Sequence, residues 1–363
     1  MTGLKKLEIL ECSGCRGLAF PPVSSLLCSL RQLYLNDCNL TEISGDIVCL
    51  SALEVLELCG NDFESLPKSI KQLSMLRKLV LNDCNMLRSL TELPLGLQRL
   101  ESMNCKQLEL LPDASEFAEL VTQSCMNGES LFMELVFIFT NCLKLNQRTF
   151  GNVLAESLLI VQRMAMSALI SHEKGYEKGV AVSMCLPGSG IPDWFSYQSS
   201  GSLLVIQQLQ QPCNSKFMGF ALCAVIAFEE RYHDYPIGLY VSYFCNFETN
   251  DGNIGDFSGD MVVGHNKFID SDHVVLGYHP CSDVELLKGA SFEFCPRDPY
   301  WMPIKGFKVK YCAVCPMYAE SGETSREECT KTINIHDKAD DTSGRSDEEE
   351  MEPQSKRICR EAN

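Results

Sequence analysis

The chain has 363 residues, of which 45% are hydrophobic and 22% are charged, and its formal net charge is −17 at pH 7. This composition is typical of a globular chain, and the length favours two or three domains over one. The negative charge argues against a nucleic-acid-binding protein, because contacts to phosphate need a basic face.

Twenty cysteines are present, but the first residues are too polar for the apolar core of a secretory signal. We therefore expect reduced thiols and a location in the cytoplasm or the nucleus. The longest apolar runs are interrupted by Glu134 and Arg163 and do not reach the ~18–20 residues that cross a bilayer. Neither a membrane nor a nucleic acid is an expected partner.

Residues 1–112 contain a repeat. Five segments open with Leu-x-x-Leu, at Leu4, Leu30, Leu53, Leu76 and Leu97, and these positions are 26, 23, 23 and 21 residues apart. Each segment has cysteine or asparagine at its ninth position, which gives the pattern L-x-x-L-x-L-x-x-N/C of leucine-rich repeats. The sequence therefore predicts an α/β leucine-rich-repeat solenoid of about five repeats. In this solenoid the strand leucines face inward and the Asn or Cys meets buried backbone groups.

The side chains beside the strand leucines are predicted to point to solvent on the concave face. They are mixed in charge and suit a protein-binding surface, although a solvated face without a partner is an equal alternative. The candidates are Gln32, Tyr34, Asn36, Val55, Glu57, Lys78, Val80, Asn82, Arg99 and Glu101.

Three regions follow the repeats. Residues 113–178 are predicted to be a helical connector, with one helix near 152–171 and an undefined element before it. Residues 179–318 are predicted to be an all-β sandwich, because short segments rich in β-branched and aromatic residues alternate with Gly and Asp clusters. The seven strand candidates are 180–185, 202–207, 219–228, 238–247, 273–276, 289–294 and 307–314. Residues 319–363, with 13 acidic and 7 basic residues, predict a disordered acidic tail.

An aromatic motif opens the β region. Pro187-Gly188 favours a turn, Pro192 keeps the preceding residue extended, and Trp194 and Phe195 are large apolar side chains that need a core. The residues of this structural motif are Leu186, Pro187, Gly188, Ile191, Pro192, Trp194, Phe195, Gln198 and Gly201.

The motif resembles the start of the C-terminal jelly-roll/Ig-like domain (C-JID) of plant TIR-NBS-LRR disease resistance proteins. Segments 217–228, 272–278, 291–294 and 309–314 resemble later parts of that domain in the same order. Residues 139–147, which begin Phe-Thr-Asn-Cys, resemble the segment that these receptors place between repeats and domain. The resemblance implies a recognition region of an intracellular immune receptor that binds a pathogen effector protein. The alternative is a truncated receptor that acts as a scaffold, decoy or regulator of a full-length immune receptor.

No catalytic or cofactor site is expected. A phosphate-binding P-loop is absent, nothing resembles a TIR domain, and Gly188-Ser189-Gly190 does not have the spacing of a nucleophile elbow. Cys12-x-x-Cys15 and Cys312-x-x-Cys315 have half of a zinc-ribbon spacing. The second pair lies on a predicted strand, however, where residues three apart point to opposite faces. A zinc site needs four converging ligands. We therefore expect a protein that is not an enzyme and that binds neither a cofactor nor a metal.

Loops of the β region are a second candidate surface for a partner. They span residues 208–214, 229–235, 248–257 and 297–302. Their aromatic residues Tyr232, Tyr235, Tyr300 and Trp301 are of the types that dominate protein interfaces energetically. The aromatic residues Trp194, Phe195, Phe217 and Phe220 are instead expected in the core.

Overall fold

The structure, a computed structural model, describes residues 6–17, 27–127, 134–145, 157–173, 181–209, 215–228, 238–265, 269–281 and 287–320. The five predicted repeats each contribute one short parallel strand. These are β1 (Ile9–Glu11), β2 (Gln32–Tyr34), β3 (Val55–Glu57), β4 (Lys78–Val80) and β5 (Arg99–Glu101). The central leucine of β2 to β5 is buried, so the L-x-L pattern places its leucines in the solenoid as predicted.

The asparagine and cysteine positions form a ladder inside the solenoid. The Sγ atoms of Cys38, Cys84 and Cys105 donate to the carbonyl oxygens of Cys12, Leu58 and Leu81, at 3.2, 3.2 and 3.1 Å. Asn61 fills the same position in the third repeat and donates to the carbonyl oxygens of Leu35 and Leu58. Each repeat is therefore joined to its neighbour through a buried polar side chain that satisfies backbone acceptors. The convex side carries short 3-10 helices at Gly45–Cys49 and Lys68–Gln72.

The parallel sheet does not end with the fifth repeat. After helix α1 (Ala114–Asn127), β6 (Glu134–Ile138) pairs in parallel with β5, and after helix α2 (Ser157–Glu173), β7 (Ala181–Pro187) pairs in parallel with β6. The helix predicted near 152–171 is observed as α2. The undefined element before it includes a strand that continues the repeat sheet, so the segment is not purely helical.

Beyond β7 the same sheet becomes antiparallel. Its order continues through β13 (His273–Pro280), β10 (Ser215–Phe228) and β15 (Phe307–Glu320) to β8 (Tyr197–Ser200), and it contains 11 strands in the described residues. A second sheet has the order β12 (Ile254–Gly264), β11 (Leu239–Thr249), β14 (Leu287–Arg297) and β9 (Leu203–Ile206).

The long sheet separates two apolar cores. On one side, the leucines of the repeats, the helices and residues such as Val182 and Phe195 form a single continuous cluster. On the other side, Val136 and Ile138 of β6 pack with the inner face of the four-stranded sheet. Val136 is in register with Arg99 and hence with the concave row of the repeats. The four-stranded sheet therefore covers the concave side of the C-terminal strands and leaves that of the first strands open.

Several strand predictions need correction. The seven predicted strands are all present, but β8 and β12 were not predicted. Residues 248–257, predicted as a loop, are mostly the ends of β11 and β12, joined by a turn that includes Gly252. The predicted tail starts too early, because Ala319 and Glu320 still belong to β15. The rest of the predicted tail, 321–363, lies outside the described residues.

Candidate functional site

The concave surface, defined here by Gln32, Tyr34, Glu57, Lys78 and Arg99, is a row of half-buried polar side chains. Strand register aligns Gln32, Lys78 and Arg99 in one row and Tyr34 and Glu57 in the next. Lys78 Nζ lies 2.7 Å from Glu57 Oε1, and the Tyr34 hydroxyl donates to Gln32 Oε1 at 2.9 Å. The predicted residues are thus brought together: Lys78 and Glu57 pair across adjacent strands, and Tyr34 and Gln32 pair within β2.

Two further candidates, Asn36 and Asn82, follow their strands and serve partly as structural residues. Asn36 Oδ1 accepts from the backbone N–H of Cys59 at 2.8 Å, and Asn82 Oδ1 accepts from that of Met103 at 2.8 Å. Their amide nitrogens reach the carboxylates of Glu57 and Glu101. Substituting either asparagine would disturb a turn as well as the surface.

Glu101 and Val80 do not point to solvent as predicted. Each is only 5% exposed. Glu101 keeps its charge partner, because Arg99 Nε donates to its Oε1 at 2.5 Å. Burial occurs where the end of β12 approaches the repeats: Gly264 lies so close to Met103 that a Cβ atom there would be 2.4 Å from its sulfur. The open part of the concave face therefore ends near β4 and β5.

A polar junction ties the repeat sheet to the β region. Thr140 Oγ1 donates to the Val263 carbonyl at 2.6 Å, and the Asn141 backbone N–H donates to His273 Nε2 at 3.0 Å. The other ring nitrogen of His273 lies 2.9 Å from the Ser271 carbonyl, so that nitrogen carries the proton. Burial lowers the pKa of His273 to about 4, which keeps it neutral. In the sequence, Thr140 and Asn141 stood out only because segment 139–147 resembles a segment of the receptor family. No sequence feature indicated that His273 would accept a hydrogen bond from Asn141.

The aromatic motif connects β7 to β8 and packs on α2. Phe195 is fully buried and stacks on Trp194 with ring centroids 3.9 Å apart, while Trp194 Nε1 donates to Ser157 Oγ at 3.2 Å. Gln198 Nε2 donates to the Phe195 carbonyl. Gly188 and Gly201 have φ angles of 154° and 84°, and their backbone N–H groups donate to the carbonyl oxygens of Asp272 and Lys310. Leu186 and Pro192 are buried, and Pro187 and Ile191 are half-buried.

The aromatic turn, residues 298–302, follows β14. Tyr300, Trp301 and Met302 are 73%, 52% and 62% exposed, whereas Phe217 and Phe220 lie in the core as expected. The other two predicted loop aromatics, Tyr232 and Tyr235, lie outside the described residues. The turn and the concave surface belong to different sheets, so the predicted candidates form two surfaces and not one site.

The Cys312-x-x-Cys315 pair does not converge on a common site. Cys312 and Cys315 belong to the cores on opposite sides of the long sheet, as the strand geometry predicted. Burial raises the pKa of Cys312 to about 11 and that of Cys185 to about 12, so both remain protonated. Within the described ranges, no group of three or more His, Cys, Asp or Glu side chains is placed to hold a metal ion. No described helix is long and apolar enough to span a membrane.

Comparisons with known proteins match both parts of the chain. A leucine-rich-repeat model matches residues 28–87, and the C-JID domain model matches residues 186–347. In Arabidopsis thaliana, disease resistance protein RPP2B is 32% identical over 88% of this chain and 28% of its own length. Disease resistance-like protein DSC1 of the same organism is 34% identical over 82% of this chain and 25% of its own length. The chain thus spans about a quarter of the length of these relatives.

Solved structures add little. Leucine-rich-repeat protein LIC12759 of Leptospira interrogans is 18% identical over 42% of this chain and 59% of its own, with a TM-score of 0.20. The functional domain of InlJ from Listeria monocytogenes is 15% identical over 36% of this chain and 37% of its own, with a TM-score of 0.21. Scores this low support no argument about the fold or function.

The repeats and the β region together define a leucine-rich-repeat protein with a C-JID domain. The relatives that share this arrangement over most of the chain are named as disease resistance proteins, and those names are not enzyme names. The chain belongs to the plant TIR-NBS-LRR disease resistance family and corresponds to its C-terminal region.

Proposed function

We propose that the chain is a protein-recognition region of a plant intracellular immune receptor and that it binds a pathogen effector protein. The concave surface and the aromatic turn are the proposed contact surfaces. The observation that carries this proposal is the uneven cover of the long sheet. Its concave side is open over β1 to β3 and at Lys78 of β4, and it is closed from β6 onward by the four-stranded sheet. A partner bound on the open face would contact the four-stranded sheet at one end of that face.

The chemistry of the open face supports recognition of a protein. Tyr34, Arg99 and the Glu57–Lys78 pair combine an aromatic ring with both signs of charge. On binding, these side chains can give up their hydrogen bonds to one another and form hydrogen bonds to a partner. Charges at a protein surface contribute more to the specificity of binding than to its affinity. The protonated thiols of Cys185 and Cys312 and the neutral imidazole of His273 support binding over catalysis, because these buried groups are poorly suited to act as nucleophile or base.

The proposal includes the predicted division of the chain. The proposed repeats occupy 1–112 and the connector, which includes β6, occupies 113–178. The proposed jelly-roll/Ig-like domain runs from 179 to the end of β15 at Glu320, and the acidic tail follows it. It also places the protein in the cytoplasm or the nucleus, without a cofactor, a nucleic acid or a membrane as partner. The two packed sheets and the C-JID match support the β-domain assignment.

A charge reversal tests the concave surface. Lys78→Glu places a second carboxylate beside Glu57 in the open face, whereas Lys68→Glu makes the same change on the convex side. Candidate effectors are co-expressed with each variant, and the affinity of any associating effector is measured by biolayer interferometry. We expect Lys78→Glu to weaken binding at least tenfold and Lys68→Glu to change it less than twofold.

Equal effects of the two variants, or no effect of either, would show that the concave surface does not bind the effector. Recovery of a full-length immune receptor from uninfected tissue, with no effector bound in any pairing, would favour the alternative role as a scaffold, decoy or regulator.

A further inference from the structure

A small cavity lies between the aromatic turn and the outer face of the four-stranded sheet. Its volume is about 230 Å³, and it is lined by Tyr240, Ser242, Asp260, Asp298, Pro299 and Trp301. Ser242 and Asp260 are cross-strand partners on β11 and β12. The sheet thus supplies one side of the cavity and the turn supplies the other.

Both carboxylates in the cavity are held in place through one oxygen atom each. Ser242 Oγ donates to Asp260 Oδ1 at 2.5 Å. The backbone N–H groups of Tyr300 and Met302 donate to Asp298 Oδ1 at 2.9 and 2.8 Å. Among the described residues, neither aspartate forms a salt bridge. The two carboxylates are therefore held in place, and neither is ion-paired within the described part of the chain.

Arg297, which precedes Asp298 in the chain, contacts other groups. Arg297 lies with its Cζ 4.8 Å from the centroid of the Phe244 ring, and its Nη1 donates to the Trp301 carbonyl at 3.0 Å. These contacts hold the aromatic turn against the sheet. Arg297 consequently positions the backbone of Trp301 without pairing with Asp260 or Asp298.

Trp301 provides the aromatic wall of the cavity. Its φ is +66°, a conformation that bulky residues rarely adopt, and its side chain is 52% exposed. Tyr240 contributes a second ring to the lining. Aromatic rings next to carboxylates attract cations through both the ring quadrupole and direct charge.

We propose that this cavity binds an arginine side chain of the partner protein. A guanidinium stacks on an indole ring while its fork of N–H donors reaches carboxylate oxygens, which fits the walls and the two aspartates. Lysine can supply the charge but not the planar stacking. The net charge of −17 favours a basic partner in general. This inference rests on the proposed function in one respect: the arginine belongs to the protein that the chain recognises.

The cavity itself is tested without an effector. The chain contains two tryptophans, so the ¹⁵N-labelled protein gives two indole N–H signals, and Trp301→Phe identifies the one that belongs to the turn. The probe is N-acetyl-arginine methylamide, and its neutral isostere N-acetyl-citrulline methylamide is the matched control ligand. We expect the Trp301 signal to shift in a saturable way with the arginine probe, less with the lysine analogue, and not with the citrulline probe.

Two isosteric variants complete the test. Asp260→Asn removes the charge from the cavity but keeps an oxygen that accepts from Ser242. Asp256→Asn removes a charge from the same strand and face, outside the lining. Asp260→Asn should raise the Kd of the arginine probe at least fivefold, and Asp256→Asn should leave it within twofold. Equal binding of the citrulline probe, equal effects of the two variants, or an unmoved Trp301 signal would overturn the proposal.

The same variants separate this inference from the proposed function. If an effector binds the chain but Asp260→Asn leaves its affinity unchanged, the cavity does not hold the arginine of that partner and the inference fails alone. If the arginine probe binds as expected and no effector associates in any pairing, the cavity chemistry is correct and the proposed function fails.

Discussion

Asn61 is the side chain whose removal should damage the repeats most. It is fully buried, and its Nδ2 donates to the carbonyl oxygens of Leu35 and Leu58, both at 2.8 Å. Its Oδ1 accepts from the backbone N–H groups of Cys38 and Leu40 at 3.2 and 3.0 Å. Asn61→Ala therefore leaves four buried backbone groups without these partners.

The expected cost follows from the number of groups left unpaired, which is three of these four, because the Leu58 carbonyl still accepts from Cys84 Sγ. A buried unsatisfied polar group costs about 1–3 kcal/mol, and relaxation or water entry recovers part of the sum. We expect Asn61→Ala to lower the free energy of unfolding by about 4 kcal/mol, near the upper end for a single substitution. Asn61→Cys should cost about half as much, because one thiol donor can replace only one amide donor. The ladder cysteines, such as Cys84, show that a thiol fits this position.

Urea unfolding followed by far-ultraviolet circular dichroism measures these differences. Asn85→Ala is the matched control, because Asn85 is exposed and makes one local bond, from Nδ2 to the Asp83 carbonyl at 3.1 Å. It should change the free energy of unfolding by less than about 0.5 kcal/mol. A loss below about 1 kcal/mol for Asn61→Ala, or an equal loss for both alanine variants, would refute the role of the ladder.

Two further predictions concern the junction between the repeats and the β region. The pKa of His273 lies at about 4 in the folded chain, below the unfolded value of 6.5, so its contribution to stability is present above pH 6.5 and is lost as the pH falls toward 4. Urea unfolding at pH 7.5 and 5 should show this loss, and a His273→Gln variant with the same pH dependence would contradict it. Gly264→Ala should destabilise the fold by about 1–3 kcal/mol, since it adds a Cβ against Met103 at a φ of +132°. Gly190→Ala meets no atom within 4 Å, and an equal shift of its melting temperature would contradict that account.

The repeats could be predicted because their leucines recur at a regular interval in the sequence. Strand β6 could not be predicted in this way. The interval from Leu97 to β6 is longer than a repeat, since α1 is inserted between β5 and β6. The run from Leu131 to Phe139 also reads as a helix or a strand with equal ease. Only the structure shows that Cys142 continues the ladder, donating to the Ser102 carbonyl at 2.7 Å.

The aromatic turn and its cavity could likewise be predicted only in part from the sequence. Trp301 was identifiable from the sequence, because an aromatic residue in a predicted loop is of the type that dominates protein interfaces energetically. Asp260 was not identifiable, because it reaches the cavity only through the cross-strand register that places it opposite Ser242. Strand β12 itself was missed, since its glycines and aspartates resemble loop composition.

The continuous sheet has a consequence for binding. The concave surface belongs to one end of the long sheet, and the aromatic turn belongs to the sheet packed on its other end. The contacts of Thr140 and Asn141 at the junction fix the two relative to each other. A partner that touches both surfaces loses its translational and rotational freedom only once. Such preorganisation permits useful affinity from two surfaces that are each modest.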